Sequence, residues 1–358
     1  MGQQRSATLA SVALAARVSR QTVSNVLNAP DLVHSSTRRR VEAIIAEQGY
    51  RPNRAAQSLR TQASRLLGYA VRPRPALVIS SVLDRFLHAL TANAEDSGHH
   101  VLLFAERPGR SEIDGFAELL ARNAVDGFVL SDTDVDDPRP GWLDRRDVPF
   151  VAFGRDWSRP DDGHWVDVDG AAGTRAAVEH LYALGHRRIA YLGWPEGSGV
   201  GDDRRAGYLG ACAELGVRPV AVAIEDGFET GHGATSQLLD RGRQAPTAFV
   251  CVSDGMAVGC LQTLRGRGLR PGHDAGVVGF DDSPLAGLPG VELTSVQQPV
   301  ETVAEAVVAR LLRRLAAPDS PAEPLLLPPR LVVRASTDPA GSAAGSPDPH
   351  PLPGGSPA

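Results

Sequence analysis

Lysine is missing from all 358 residues, so every one of the 37 cations is an arginine and any polyanion must be met by guanidinium groups. Cysteine is scarce. Cys212, Cys251 and Cys260 are odd in number and form no CxxC pair, which excludes a disulfide framework or a zinc site and fits a reduced cytoplasm. No apolar run reaches the 18 or so residues that a membrane helix needs. The stretch TLASVALAARVS could pass for a signal-peptide core, but it lacks a strongly basic lead and flows into periodic sequence. Catalytic patterns are equally thin. GSGVG (197–201) lacks GxGxxG spacing and an evident acidic ribose partner, and no Ser-His-Asp or metal spacing stands out. Asp167/Asp169 and Asp281/Asp282 mimic paired carboxylates, yet alternate strand residues face opposite ways. No enzyme, cofactor or metal is expected.

What is present is unevenly spread. A chain this long exceeds one simple core, and two or three domains are expected. Residues 1–65 hold ten Arg against Asp31, Glu42 and Glu47, leaving +7; the remainder carries −12, and the whole chain −5. A basic head on an acidic body points to a polyanionic partner for the head.

From Leu67 to Arg334, apolar runs at 100–104, 127–131, 149–153, 187–193, 248–252 and 276–280 read as buried strands. Between them, 83–97, 112–123, 171–184, 203–215, 230–241 and 255–266 carry helical spacing. This rhythm builds parallel sheets covered by helices, and there are enough strands for two sheet lobes with a cleft between them. Residues 338–358, rich in Pro, Gly and Ser, have almost nothing to bury and are expected to be a disordered tail.

Before Leu67 the pattern is helical. Thr8 caps a helix holding Leu9, Val12 and Ala13, and a turn follows at Ala16–Arg17. Ser19 then caps a second helix, SRQTVSNVLN, and a third runs roughly Ser36–Gln48. Two short helices joined by a tight turn form a helix-turn-helix. The second helix places Arg20, Gln21, Ser24 and Asn25 on its outer face, where the motif reads base edges. Thr22, Thr37, Arg38 and Arg39 are better placed for phosphates. Asn53 can cap a short helix from Arg54 to Arg60, too brief to be stable alone in water.

LASVALAARVSRQTVSNVLN and TRRRVEAIIAEQGYRPNRAAQSLRT closely resemble the LacI/GalR transcriptional regulators. The resemblance continues through EHLYALGHRRIAYLG, RRAGY, PTAFVCVSDGMAVG, VVGFDDSPLA and LTSVQQP, over nearly all of residues 6–337. It implies an all-α helix-turn-helix head (1–52), a hinge (53–66) and a two-lobed α/β body like periplasmic binding proteins (67–337). It implies a cytoplasmic homodimer, with no membrane role, that reads a near-palindromic operator in double-stranded DNA. DNA contacts are then also implied for Thr8, Ser19, Asn28, Tyr50, Asn53 and Ala56, with Leu59 wedging into the minor groove. A small effector, likened to a sugar or its derivative, is implied for the cleft, with contacts from Arg155, Arg204, Phe228, Ser253, Asp254 and Asp281. Each has a plainer reading: Asp254 and Asp281 can cap helices, Arg204 can pair with Asp202 or Asp203, and Phe228 can be core.

Departures from the family pattern carry expectations of their own. Arg17 stands where Gly is usual, and a left-handed backbone there would cost about 1 kcal/mol. Asn25 replaces a frequent Arg and should alter the preference at one operator position. His34 replaces a usual capping Ser, so Ser35 or Ser36 is expected to cap the third helix. Pro73 and Pro75 are expected to stiffen a loop at the cleft mouth (72–82). Two rivals remain at this level: a transport-type solute-binding protein, which would need an export signal, and a regulator answering to a partner protein through a vestigial cleft.

Overall fold

A computed structural model describes residues 7–50, 63–72, 81–105, 109 and 111–338. These fall into two compact units divided between Ser64 and Arg65. Residues 53–62 of the expected hinge (Asn53, Ala56 and Leu59 included), most of the expected cleft-mouth loop and the tail from 339 lie outside the described residues.

The amino-terminal unit holds α1 (Leu9–Ala16), α2 (Arg20–Asn28), a 3-10 turn at Pro30–Leu32, and α3 (Ser35–Gln48). Its start is locally encoded. The Thr8 hydroxyl accepts from the Ser11 backbone N–H at 3.1 Å while the Ser11 hydroxyl accepts from the Thr8 N–H at 3.0 Å. Val12, Ala13, Ala16, Val23, Val26 and Val41 make the small core. A hydrogen bond from Ser11 Oγ to Gln48 Oε1 at 3.0 Å ties α1 to α3. The expectation for the third helix needs correcting. His34 is its N-cap, with Nδ1 accepting from the Ser36 N–H at 3.4 Å, and Ser35 and Ser36 already lie inside the first turn. An imidazole nitrogen can do the work of a hydroxyl oxygen here.

The larger unit contains two six-stranded sheets. The first uses β1 (Leu66–Val71), β2 (His100–Ala105), β3 (Gly127–Leu130), β4 (Phe150–Phe153), β5 (Trp165–Val168) and β11 (Leu325–Leu327), in the order β11-β5-β4-β3-β1-β2, all parallel. Its inward residues alternate between faces. Val129 packs with α4 (Ser81–Asp96) and α11 (Val300–Ala316), while Phe128 and Leu130 pack with α5 (Asp114–Ala121) and α6 (Pro138–Asp144).

The second sheet uses β6 (Ile189–Gly193), β7 (Val220–Ala223), β8 (Ala248–Cys251), β9 (Gly276–Asp281), β10 (Thr294–Gln297) and β12 (Arg330–Val332), in the order β12-β10-β9-β8-β6-β7; only β12 runs antiparallel. It shares one core with α7 (Gly170–Ala183), α8 (Gly199–Leu215), α9 (Phe228–Leu239) and α10 (Asp254–Gly266). The chain passes between lobes at β5 to α7, β10 to α11 and β11 to β12. The carboxyl ends of the strands meet across the resulting cleft, where open parallel sheets take ligands. Among the described residues, no helix is long and apolar enough to cross a membrane.

Candidate functional site

The first candidate surface belongs to the amino-terminal unit. Arg17 closes α1 in the left-handed region (φ 53°, ψ 47°), which redirects the chain into α2 within two residues. Ser19 caps α2 by accepting from the Thr22 N–H at 3.0 Å. Val23 and Val26 turn inward, so Arg20 and Gln21 are left exposed, with Ser24 and Asn25 half-buried beside them. Gln21 Nε2 donates to Asn25 Oδ1 at 2.9 Å, which orders two amides into one polar edge. Thr8 and Ser19 are exposed, and Thr22 and Thr37 are half-buried. Arg38 lies 3.9 Å from Glu42, a loose surface pair that leaves the guanidinium available to a phosphate. Tyr50, by contrast, packs against the small core.

The second candidate is the cleft of the body, a cavity with about 860 Å³ of empty space including its open mouth. Asp132, Thr133, Asp134, Phe153, Trp157 and Asp167 line it from one lobe, and Trp194, Ser198, Asp203, Arg204, Phe280 and Asp281 from the other. The wall after β3 is braced by buried Arg139, which donates to the carbonyls of Ser131 and Asp132 and forks onto Asp137.

Of the sequence-predicted residues, Arg204 and Asp281 line the cavity together. Arg204 is buried, donates from Nη1 to the Val252 carbonyl at 2.6 Å, lies 3.7 Å from the Phe280 ring centroid, and reaches Asp281 at 3.5 Å. Its Nε has no hydrogen-bond partner. Arg204 thus pairs with Asp281, not with Asp202 or Asp203. Asp281 also accepts from Gln298 at 2.7 Å, and burial pushes its carboxyl above the usual range. Its backbone, at φ 106°, is strained for a non-glycine residue.

Arg155 sits behind the wall. Its Nε donates to Asp167 at 2.8 Å and its Nη2 reaches Asp203 across the lobes at 3.4 Å, while the guanidinium lies 4.6 Å over the Trp157 ring. Burial also raises the Asp203 carboxyl, against the opposing pull of Arg155.

The remaining three are not brought to the cavity. Ser253 is the N-cap of α10, accepting from the Met256 N–H and donating to Asp226. Asp254 is buried beneath it, accepting from Ser283 N–H at 2.6 Å and Ser295 Oγ at 2.5 Å. Phe228 begins α9, whose first turn is pressed onto α10 at Gly259, and it stacks on His232 at the surface. Trp157, Trp194, Asp132 and Asp134 were not singled out from sequence, and Asp203 only as a partner for Arg204. Their shared signal is position: each lies in the loop, or the start of the helix, that follows a strand's carboxyl end.

Comparison with known proteins places both regions. Residues 8–53 match the family described as bacterial regulatory proteins, lacI family, and residues 178–337 match the periplasmic binding protein-like domain. The HTH-type transcriptional regulator CelR of Thermobifida fusca is 33% identical over 341 residues, which covers 94% of this chain and 100% of CelR. The crystal structure of the lac repressor dimer bound to operator and the anti-inducer ONPF gives a TM-score of 0.79 at 31% identity, over 93% of this chain and 100% of that one. A CelR–cellobiose complex gives 0.68 at 31%, over 92% and 99%. These relatives are transcriptional regulators, not enzymes.

Proposed function

Because the chain belongs to the lacI family of bacterial regulatory proteins, we propose that it is a homodimeric, sequence-specific repressor whose grip on DNA is set by a small carbohydrate in the cleft. Arg20, Gln21, Ser24 and Asn25 read base edges in the major groove, with Asn28 at the end of the same helix. Thr8, Ser19, Thr22, Thr37, Arg38 and Tyr50 hold the phosphate backbone and set register. Asn53, Ala56 and Leu59 form the hinge contacts in the minor groove. One head reads half a site, so a dimer and a near-palindromic operator follow.

In the cleft, Arg204 and Asp281 meet the effector, with Arg155 positioning Asp167 and Asp203. A cellobiose complex of a relative with this fold supports the carbohydrate class. Coupling of about 1–3 kcal/mol between cleft and DNA would shift operator affinity roughly 5- to 150-fold.

The observation that carries this reading is the exposed Arg20–Gln21 edge at the start of α2, held by the Ser19 cap on a basic head. The test is fluorescence anisotropy with fragments selected from genomic DNA. If four arginines per head meet phosphate, log K against log[salt] should fall with a slope near −7 for the dimer, by the counterion-release relation. Gln21→Ala should relax preference at one operator position; a uniform loss across all sequences would place Gln21 on the phosphates instead.

A further inference from the structure

Away from the cleft, the last two turns of α11 carry Arg310, Arg313 and Arg314 on a body that is acidic overall. With His164, Ser320 and Glu323 they line a groove holding about 280 Å³ of empty space, its open mouth included. From this cluster we infer a second binding site, for one tetrahedral dianion: inorganic phosphate or the phosphate group of a small monoester.

The donors that face the groove are unanswered. Arg314 is half-buried and directs Nη1 at the Phe150 carbonyl, 2.9 Å away. Its Nε is buried without a partner, and among the described residues it forms no ion pair. Arg310 donates from Nε to the Glu323 carbonyl at 3.1 Å and likewise meets no carboxylate among the described residues. His164, half-buried in the segment before β5, sets its ring edge-on against Phe150 at 6.0 Å. Among the described residues, neither of its ring nitrogens has a hydrogen-bond partner.

The acids nearby are already engaged. Glu323 reaches Arg313 at 2.5 Å, and Asp144 lies 3.4 Å from Arg159. Arg310 and Arg314 are four residues apart on one helix face, a like-charge spacing that destabilises a helix unless something negative sits between them. Arg313 and Arg314 also stand in the last turn, where cations suit the negative helix end. That duty does not extend to Arg310, and the Nη1 of Arg314 turns to β4 instead. A planar carboxylate matches a single guanidinium fork. Donors arriving from two turns of α11 and from the segment before β5 instead surround a tetrahedral centre, and two guanidiniums match its two charges. The groove has room for one such group, with any ester portion left outside.

His164 makes the site sensitive to pH. Burial, then the charge of Arg314, holds its imidazole below the ordinary range, with Arg159 adding to this and Asp144 and Asp162 opposing it. A dianion beside the ring would favour the imidazolium, so binding takes up a proton and strengthens as pH falls.

The test is calorimetry on full-length protein at fixed ionic strength, with inorganic phosphate, glycerol phosphate and sulfate as probes and chloride as the control. Phosphate should bind saturably; a tighter glycerol phosphate would mark the monoester as the natural form, and equal affinity the bare ion. Arg310→Gln and Arg314→Gln should each weaken binding about tenfold or more. Sulfate stays a dianion across the range, so its affinity should rise by up to about tenfold per pH unit below 7.5, a slope that His164→Gln removes. Affinity for a selected DNA fragment should be unchanged in Arg310→Gln. An absence of saturable heat, an equal response to chloride, or full affinity in both arginine variants would overturn the inference. So would a loss of DNA affinity in Arg310→Gln without phosphate binding, which would give the groove to the DNA backbone.

Discussion

Replacing Arg17 by glycine should make the amino-terminal unit more stable. Arg17 holds φ 53° and ψ 47°, the left-handed well, while its N–H closes α1 on Leu14 and the following Val18 N–H returns to Ala13 at 3.0 Å. An L side chain in that well costs about 1–2 kcal/mol, and glycine avoids it but brings extra unfolded-state freedom of roughly 0.5–1 kcal/mol. The difference leaves Arg17→Gly stabilising by about 0.5–1 kcal/mol, a two- to fivefold change in the opening equilibrium. The guanidinium is exposed and makes no ion pair among the described residues that would offset this gain. Native-state hydrogen exchange on the full-length protein reads it directly: amides of Val12, Val18 and Val23 should gain that factor in protection while the strands of the body keep theirs. Unchanged or reduced protection would mean that the turn is not left-handed or that the arginine contributes something else. Operator affinity measured on the same variant separates stability from a phosphate contact, because losing one cation from each head flattens the salt slope by about 2.

Gly199 is so close to the Trp157 ring that a Cβ there would stand 2.3 Å from it. Gly199→Ala should therefore displace Trp157, red-shifting emission and raising acrylamide quenching, and an unaltered spectrum would deny the contact between lobes. A different kind of test lies deeper. Burial, reinforced by the charge of Asp281, pushes the Asp254 carboxyl up to about 7. Since the folded value lies above the unfolded one, the protonated form favours folding, an advantage complete below about pH 4 and lost as pH rises through 7. Asp254→Asn should flatten urea-derived stability across that window, by up to about 4 kcal/mol; an identical slope in the variant would remove Asp254 from the account.

How much of this was legible depends on how local each determinant is. Thr8 and Ser19 were readable as caps because a cap is a matter of three adjacent residues. His34 was not, since imidazole is an uncommon acceptor at that position. The central strands announced themselves as apolar runs, but β10 did not. Its Thr294 and Ser295 are fully buried yet polar, satisfied by Arg334, Ser336, Thr337 and Asp254 from distant segments. β5 hid in the same way behind Asp167, whose partner Arg155 lies on a neighbouring loop. In the cleft, Arg204 and Asp281 could be carried over from a family likeness. Trp157 and Trp194 could not, because only the folding of two separate lobes sets them around one cavity. Ser253 and Asp254 allow two readings for a physical reason: a Ser-Asp pair at a helix start serves equally well as a cap and as a ligand contact, and here Ser253 caps α10 while Asp254 is buried.

The repeated passage of the backbone between lobes has a consequence for anyone hoping to dissect or recombine this body. β11 completes one sheet and β12 the other, with only Pro328 and Pro329 between them. A stop codon placed before Leu325 would thus strip an edge from both sheets at once, and neither lobe could be expressed as one uninterrupted piece. Grafting a lobe from a relative would demand several simultaneous junctions, so ligand preference in such a scaffold should drift through point substitutions in the strand-end loops sooner than through exchange of whole lobes.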